Sequence, residues 1–236
     1  MRTRSSRTRS LPACGGAAYN PGMANLITLS RLLLLLAVVA ISYQPPSWLH
    51  FANVVLLIVV FVTDGLDGWV ARRRGEASLF GAMFDIAGDR IVELTMWIVL
   101  AHQGLLPVWV PIVFVIRGTI VDAIRASQTS SRGRSPFAMM ESPLGKWLVA
   151  GQFMRIFYAV LKAHAFCWLL LIQPMPALFP AFWADWGWLL TGIGSALVYL
   201  SVAVCLARGL PVIVEFTWQE RHTLLGRLMP EQPGGR

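Results

Sequence analysis

Long apolar runs separated by short polar breaks organise this chain. The run LITLSRLLLLLAVVAIS occupies residues 26–42, and others cover 49–63 and on toward 70, 90–101 with its flanks, 105–124, 147–172 and 187–207. A bilayer core of about 30 Å takes about 20 helical residues to cross, and these runs with their flanks approach or reach that length. The period-2 alternation of an outer-membrane strand is absent, and lipid otherwise admits only helices as spanning structures. The pattern predicts an all-α polytopic membrane protein with six transmembrane helices.

Composition strengthens that expectation and charge orients it. The chain is 56% hydrophobic and 14% charged, against about 25% charged in soluble domains, and its mean hydropathy is +0.60. The net charge of +8 lies in Arg2, Arg4, Arg7 and Arg9, in Arg72–Arg74, between Arg125 and Lys146, and at the C-terminus. The alternate connections, 43–48, 102–107 and 173–186, have no Lys or Arg. By the positive-inside rule both termini and the two basic connections lie in the cytoplasm. The basic balance then reports topology and attraction to anionic headgroups, and no nucleic-acid partner is expected because no basic patch sits on a soluble domain.

The expected organisation is a disordered basic arm over 1–22, one membrane domain over 23–210 and a cytoplasmic C-terminal tail over 211–236. The arm superficially resembles a transit peptide, and Met23 offers an alternative start. No internal repeat is visible. Cys14, Cys167 and Cys205 lack zinc or redox spacing and read as packing residues. The histidines, His50, His102, His164 and His222, are equally scattered.

The chemistry is concentrated in DGLDGWVARRRGEASLFGAMFDIAGD, residues 64–89. Ionisable groups at a membrane are costly and mark function. Asp64 and Asp67 stand three apart, Asp85 and Asp89 four apart, and each spacing puts a pair on one helix face. A short connection allows the two pairs to converge at the cytoplasmic boundary. Four carboxylates so close need cations between them, and an oxygen-only donor set favours Mg²⁺, Mn²⁺ or Ca²⁺ over zinc. Two metals sharing carboxylates suit displacement at phosphorus. Gly65, Gly68, Ala71, Gly81, Ala82 and Gly88 allow close approach of a helix or a flat nucleotide. The bland alternative is that the acids pair with Arg72, Arg73, Arg74 and Arg90.

The pattern Asp64-x2-Asp67-Gly68-x2-Ala71-Arg72-x8-Gly81-x3-Asp85-x3-Asp89 resembles the complete signature of the CDP-alcohol phosphotransferase family. That resemblance implies transfer of a phosphatidyl group from CDP-diacylglycerol to an alcohol, with release of CMP. It implies two divalent ions, Mg²⁺ or Mn²⁺, on Asp64, Asp67 and Asp85, with Asp89 completing the site and acting as general base. Gly68, Ala71 and Gly81 would line the cytidine pocket and Arg72 would contact nucleotide or phosphate. It also implies an integral protein of the cytoplasmic (inner) membrane whose site faces the cytoplasm; family enzymes often form homodimers.

Three further elements resemble bacterial phosphatidylglycerophosphate synthases: Asn25-x2-Thr28-x2-Arg31, the stretch from Arg117 to Arg125, and Gly145-Lys146-x5-Gln152. Arg117, Arg125 and Lys146 are then the expected ligands of a phosphorylated acceptor, glycerol 3-phosphate first and inositol phosphate as the alternative. The contrary reading pairs Arg117 with a nearby acid and Arg125 with Asp122. Ile86, Arg90, Gly118, Val149 and Ala150 depart from the usual residues of those synthases, all near the acceptor side. Glu93, one turn beyond Asp89, reads as an ion-pair member rather than a ligand. The rival classes are a transporter, which would place acids at mid-membrane in repeated halves, and a non-catalytic scaffold, which should have lost an aspartate.

Overall fold

The structure, a computed structural model, describes residues 22–74, 79–132, 147 and 151–228. Within its helices the side chains of 22–28, 64–74, 79–82, 85, 125, 127–132 and 219–228 lie outside the described residues. The arm expected over 1–22 falls almost wholly outside them, as do Cys14 and the connection over 133–146.

Among the described residues the secondary structure is entirely helical: α1 (Gly22–Ser42), α2 (His50–Arg74), α3 (Leu79–His102), α4 (Trp109–Arg132), α5 (Gln152–Ile172), the single-turn α6 (Met175–Leu178) and α7 (Pro180–Leu228). Each of the six long helices covers one of the six apolar runs. Several boundaries differ from those of the runs; the fourth helix, for one, starts at Trp109 rather than 105. The fifth helix begins at Gln152 rather than 147, because Gly151 is held at φ −56°, ψ 125°, outside the helical region. The last helix passes 207 and continues through Pro211 to Leu228. Its 49 residues extend roughly 74 Å at about 1.5 Å per residue, more than twice a bilayer core.

Two stretches of the described residues are long and apolar enough to cross a membrane, Gln152–Leu178 and Pro180–Trp218, while Leu29–Ser42 and His50–Thr63 are apolar but shorter. The third and fourth helices are diluted by charge, and the reason is visible in the packing. Glu93 on α3 and Arg117 on α4 are buried, so these two ionisable groups face protein, whereas Asp89 on α3 is exposed. The outer surface has the opposite character, with Leu33, Leu36, Val55, Ile98, Ile112 and Val214 all exposed.

The interior is organised around Trp97, fully buried on α3. Its ring stacks on Phe114 of α4 at 4.6 Å between centroids and meets Phe166 of α5 edge-on at 4.5 Å; Phe166 in turn stacks on Phe61 of α2 at 6.4 Å. Such pairs add about 0.5–1.5 kcal/mol each beyond area burial. Helix α1 packs on α2 and α3, while α7 closes the bundle against α4 and α5. Cys205 is buried within this core and Cys167 half-buried, both as free thiols.

One end of the bundle is tied by polar side chains. The Ser42 carbonyl, a helix-terminal acceptor with no intrahelical donor, accepts from Gln103 Nε2 and Gln173 Nε2, both at 2.9 Å. Asn53 Nδ2 donates to Ser42 Oγ at 3.0 Å. Helix α3 stops there because Gly104 adopts φ +74°, with Leu105 N–H donating to Leu100 and Gly104 N–H to Ala101, the two bonds of a Schellman cap. The aspartate stretches lie at the opposite end of α3.

Candidate active site

Both halves of the aspartate stretch are helical. Asp64, Asp67, Gly68, Ala71 and Arg72 fall in the C-terminal part of α2, and Gly81, Asp85 and Asp89 in the N-terminal part of α3. Helical backbone makes the spacings of three and four meaningful, since each pair then shares one face. The side chains of Asp64, Asp67, Gly68, Ala71, Arg72, Gly81, Asp85 and Arg125 lie outside the described residues, and so does Lys146 altogether. No group of three or more His, Cys, Asp or Glu side chains that could hold a metal occurs among the described residues. In sequence, the titratable oxygen donors of the 64–89 stretch are carboxylates, the chemistry that suits Mg²⁺ or Mn²⁺.

Asp89 is the fully described member. Its carboxylate is 55% exposed and its Oδ1 lies 3.2 Å from Nη1 of Arg31, a guanidinium only 1% exposed on α1. Oδ2 has no other partner among the described residues.

Arg90, the next residue, turns away from the aspartates. Its Nε and Nη2 donate to both carboxylate oxygens of Asp122 on α4, at 2.9 and 3.0 Å. Its Nη1 donates to Glu93 Oε2 at 3.1 Å. This is the bidentate geometry that favours Arg over Lys. The guanidinium lies across Gly118, where a Cβ would sit 3.4 Å from Nη1. Two of the departures noted in the sequence, Arg90 and Gly118, are therefore one adjustment in space. Asp122 is thus held by Arg90, while Arg125, the partner the contrary reading gave it, has its side chain outside the described residues.

Glu93 is the hub of the buried layer beneath, an ion-pair member as the sequence suggested. Besides Arg90, it accepts from Lys162 Nζ of α5 at 2.7 Å and from Tyr158 Oη at 3.4 Å. Lys162 Nζ also sits 4.3 Å from the Tyr158 ring centroid, and the Arg208 guanidinium of α7 approaches the same ring at 5.6 Å. Tyr158, Lys162 and Arg208 were not singled out from sequence. The available signal was a cation within or bordering an apolar run, Lys162 on α5 and Arg208 on α7, which marks function by default.

Arg117, expected to bind the acceptor, is buried at 8% exposure. Its stem lies against α7, where a Cβ on Gly209 would stand 2.6 Å from Nε and 2.7 Å from Cγ. Nε finds no hydrogen-bond partner among the described residues, and none of the ion pairs found among them involves Arg117. A buried guanidinium with an unused donor is costly and suited to an anion from outside the chain. The apolar groove of about 400 Å³ between α3 and α4, lined by Ile98, His102, Ile112 and Ile116, lies toward the other end of α3 and lacks this chemistry.

Helices α2 and α3 thus carry an aspartate pair each, and Asp89 of the second pair is anchored by the buried Arg31 of α1. The chain belongs to the CDP-alcohol phosphatidyltransferase family, whose model matches residues 22–206. It is 32% identical over 133 residues to the CDP-diacylglycerol–glycerol-3-phosphate 3-phosphatidyltransferase of Escherichia coli strain K12, covering 56% of this chain and 72% of that one. The proteins of the same name from Shigella flexneri serotype 5b and Shigella boydii serotype 4 match to the same extent.

Proposed function

We propose that this enzyme transfers the phosphatidyl group of CDP-diacylglycerol to the hydroxyl of glycerol 3-phosphate and releases CMP. Family membership and the activity for which the relatives are named support the reaction. Buried Arg117, with its unused Nε, is the structural observation that supports a phosphorylated acceptor. Arg125 and Lys146 are assigned to the same anion, and Gly68, Ala71, Arg72 and Gly81 to the CDP moiety. Asp64, Asp67, Asp85 and Asp89 would hold two Mg²⁺ or Mn²⁺ ions, which would neutralise the diphosphate and the charge developing on CMP.

The chain's own residues supply the rest. Asp89 takes the proton of the acceptor hydroxyl as its oxygen attacks the phosphorus that carries diacylglycerol. The bond from that phosphorus to the bridging oxygen breaks, and CMP leaves with the electron pair. Arg117 holds the acceptor phosphate so that its hydroxyl meets the donor in a reactive orientation. The long helices are read as six membrane spans with both termini and the aspartates on the cytoplasmic side of the inner membrane, which places the nucleotide in water and the acyl tails in lipid.

The test is CMP release from CDP-diacylglycerol by purified protein with Mn²⁺, in parallel with glycerol 3-phosphate, inositol phosphate and serine. Release that depends on glycerol 3-phosphate is the expected outcome; dependence on another acceptor would replace the assignment. Arg117→Ala should raise the glycerol 3-phosphate KM by about tenfold or more, the scale of one charged hydrogen bond, with the CDP-diacylglycerol KM unchanged. Gly209→Ala, which forces the Arg117 stem to move, should shift the same constant in the same direction. Equal changes in both KM values would make Arg117 structural.

A further inference from the structure

We infer that Arg31 is a positioning residue for the reaction: it holds Oδ1 of Asp89 so that Oδ2 is the oxygen presented to the acceptor hydroxyl. The inference rests on the reading of Asp89 as the base. It is carried by the disposition of the pair. The guanidinium of Arg31 is almost completely buried on α1, yet its Nη1 reaches the half-exposed Asp89 carboxylate of α3 at 3.2 Å. A free aspartate carboxylate rotates about its last bond, and its two oxygens are equivalent. A donor fixed in the protein interior removes that equivalence, because it favours the rotamer in which one oxygen faces the guanidinium.

The nearer cation does not perform this task. Arg90 adjoins Asp89 in sequence, but its guanidinium is committed to Asp122 and Glu93. Lys162, the other cation close to α3, is committed to Glu93. The only ion pair found for Asp89 among the described residues comes from a different helix, α1, which packs directly on α3. A rigid element thus supports the reacting carboxylate from behind, which is what precise placement of a catalytic group requires. General-base transfer demands hydrogen-bond reach, about 2.6–3.2 Å, to the proton removed. A carboxylate free to swing would meet that condition only part of the time.

The experiment compares Arg31→Met, which keeps an apolar stem, and Arg31→Lys, which keeps the charge, with wild type and Asp89→Asn. Turnover, both substrate KM values, Mn²⁺ affinity and thermal unfolding are measured on each full-length protein. For Arg31→Met, kcat should fall by about 10²-fold, the penalty typical of a misplaced reacting group, with the CDP-diacylglycerol KM within twofold. Mn²⁺ affinity should hold or rise, because a cation has been removed beside a carboxylate. Arg31→Lys should recover a part of kcat. A kcat loss in Arg31→Met that merely follows the folded fraction, with no recovery in Arg31→Lys, would reduce Arg31 to a structural residue and overturn the inference. So would wild-type kcat in Arg31→Met alongside an inactive Asp89→Asn, and in that case the reading of Asp89 survives. An active Asp89→Asn would instead remove the base assignment itself.

Discussion

Asp85→Asn should insert and fold as the wild type does yet release CMP at a rate lower by at least about 10²-fold, with every acceptor. That figure is the scale on which loss of a single charge-stabilising group lowers kcat. The substitution keeps shape and hydrogen-bonding capacity and removes only charge. Asp85 lies four residues before Asp89 on α3, one turn away on the same face, and belongs to the set read as holding the metal. Without metal, four carboxylates at one boundary repel one another, so removing one charge should leave the protein as stable or slightly more so. That is the stability–activity trade-off expected of a functional site. Thermal unfolding with and without Mn²⁺ separates this account from a folding defect. A ligand that binds only the folded state stabilises it in proportion to its affinity. Wild type should therefore gain thermal stability with Mn²⁺, and Asp85→Asn should gain less. Full turnover in the variant would take Asp85 out of the metal set.

The aspartate positions and the helices were legible in the sequence for a shared reason: both are local patterns. A run of apolar residues long enough to cross lipid declares a helix by itself, and spacings of three and four declare a face. The buried layer was not legible, because its partners are distant in sequence. Lys162 and Glu93 are 69 residues apart, and Arg90 and Asp122 are 32 apart; nothing near either member announces the other. Arg90 also shows how spacing misleads. Beside Asp89, it looked available to neutralise the aspartates, yet the open space over Gly118 and the two oxygens of Asp122 draw it to α4. The end of α7 was not legible, because the apolar run stops at 207. Arg208 instead turns inward over Tyr158, and the helix continues through Pro211.

Glu93→Gln should cost the fold more than a substitution of the exposed Asp89. The carboxylate is 9% exposed and Lys162 is 16% exposed, with 2.7 Å between Nζ and Oε1. Replacing the acid with an amide leaves Lys162 buried against a neutral group, whereas Arg90 keeps its bidentate pair with Asp122. Breaking a buried pair by removing one partner costs about 3–5 kcal/mol, chiefly because the surviving charge is stranded, while replacing both partners with apolar groups is often neutral. The stranded charge therefore makes a second expectation. Glu93→Leu combined with Lys162→Met should recover most of the stability lost in Glu93→Gln, although it deletes more polar contacts. Thermal unfolding of the purified variants in detergent reads both effects. If Glu93→Gln unfolds with wild type, the Lys162 contact contributes nothing to the fold; if the double variant is worse than the single one, Glu93 acts through Tyr158 and Arg90 rather than by balancing Lys162. The buried layer would then serve to fix α3 against α4 and α5, one turn beneath the carboxylate on which the proposed chemistry depends.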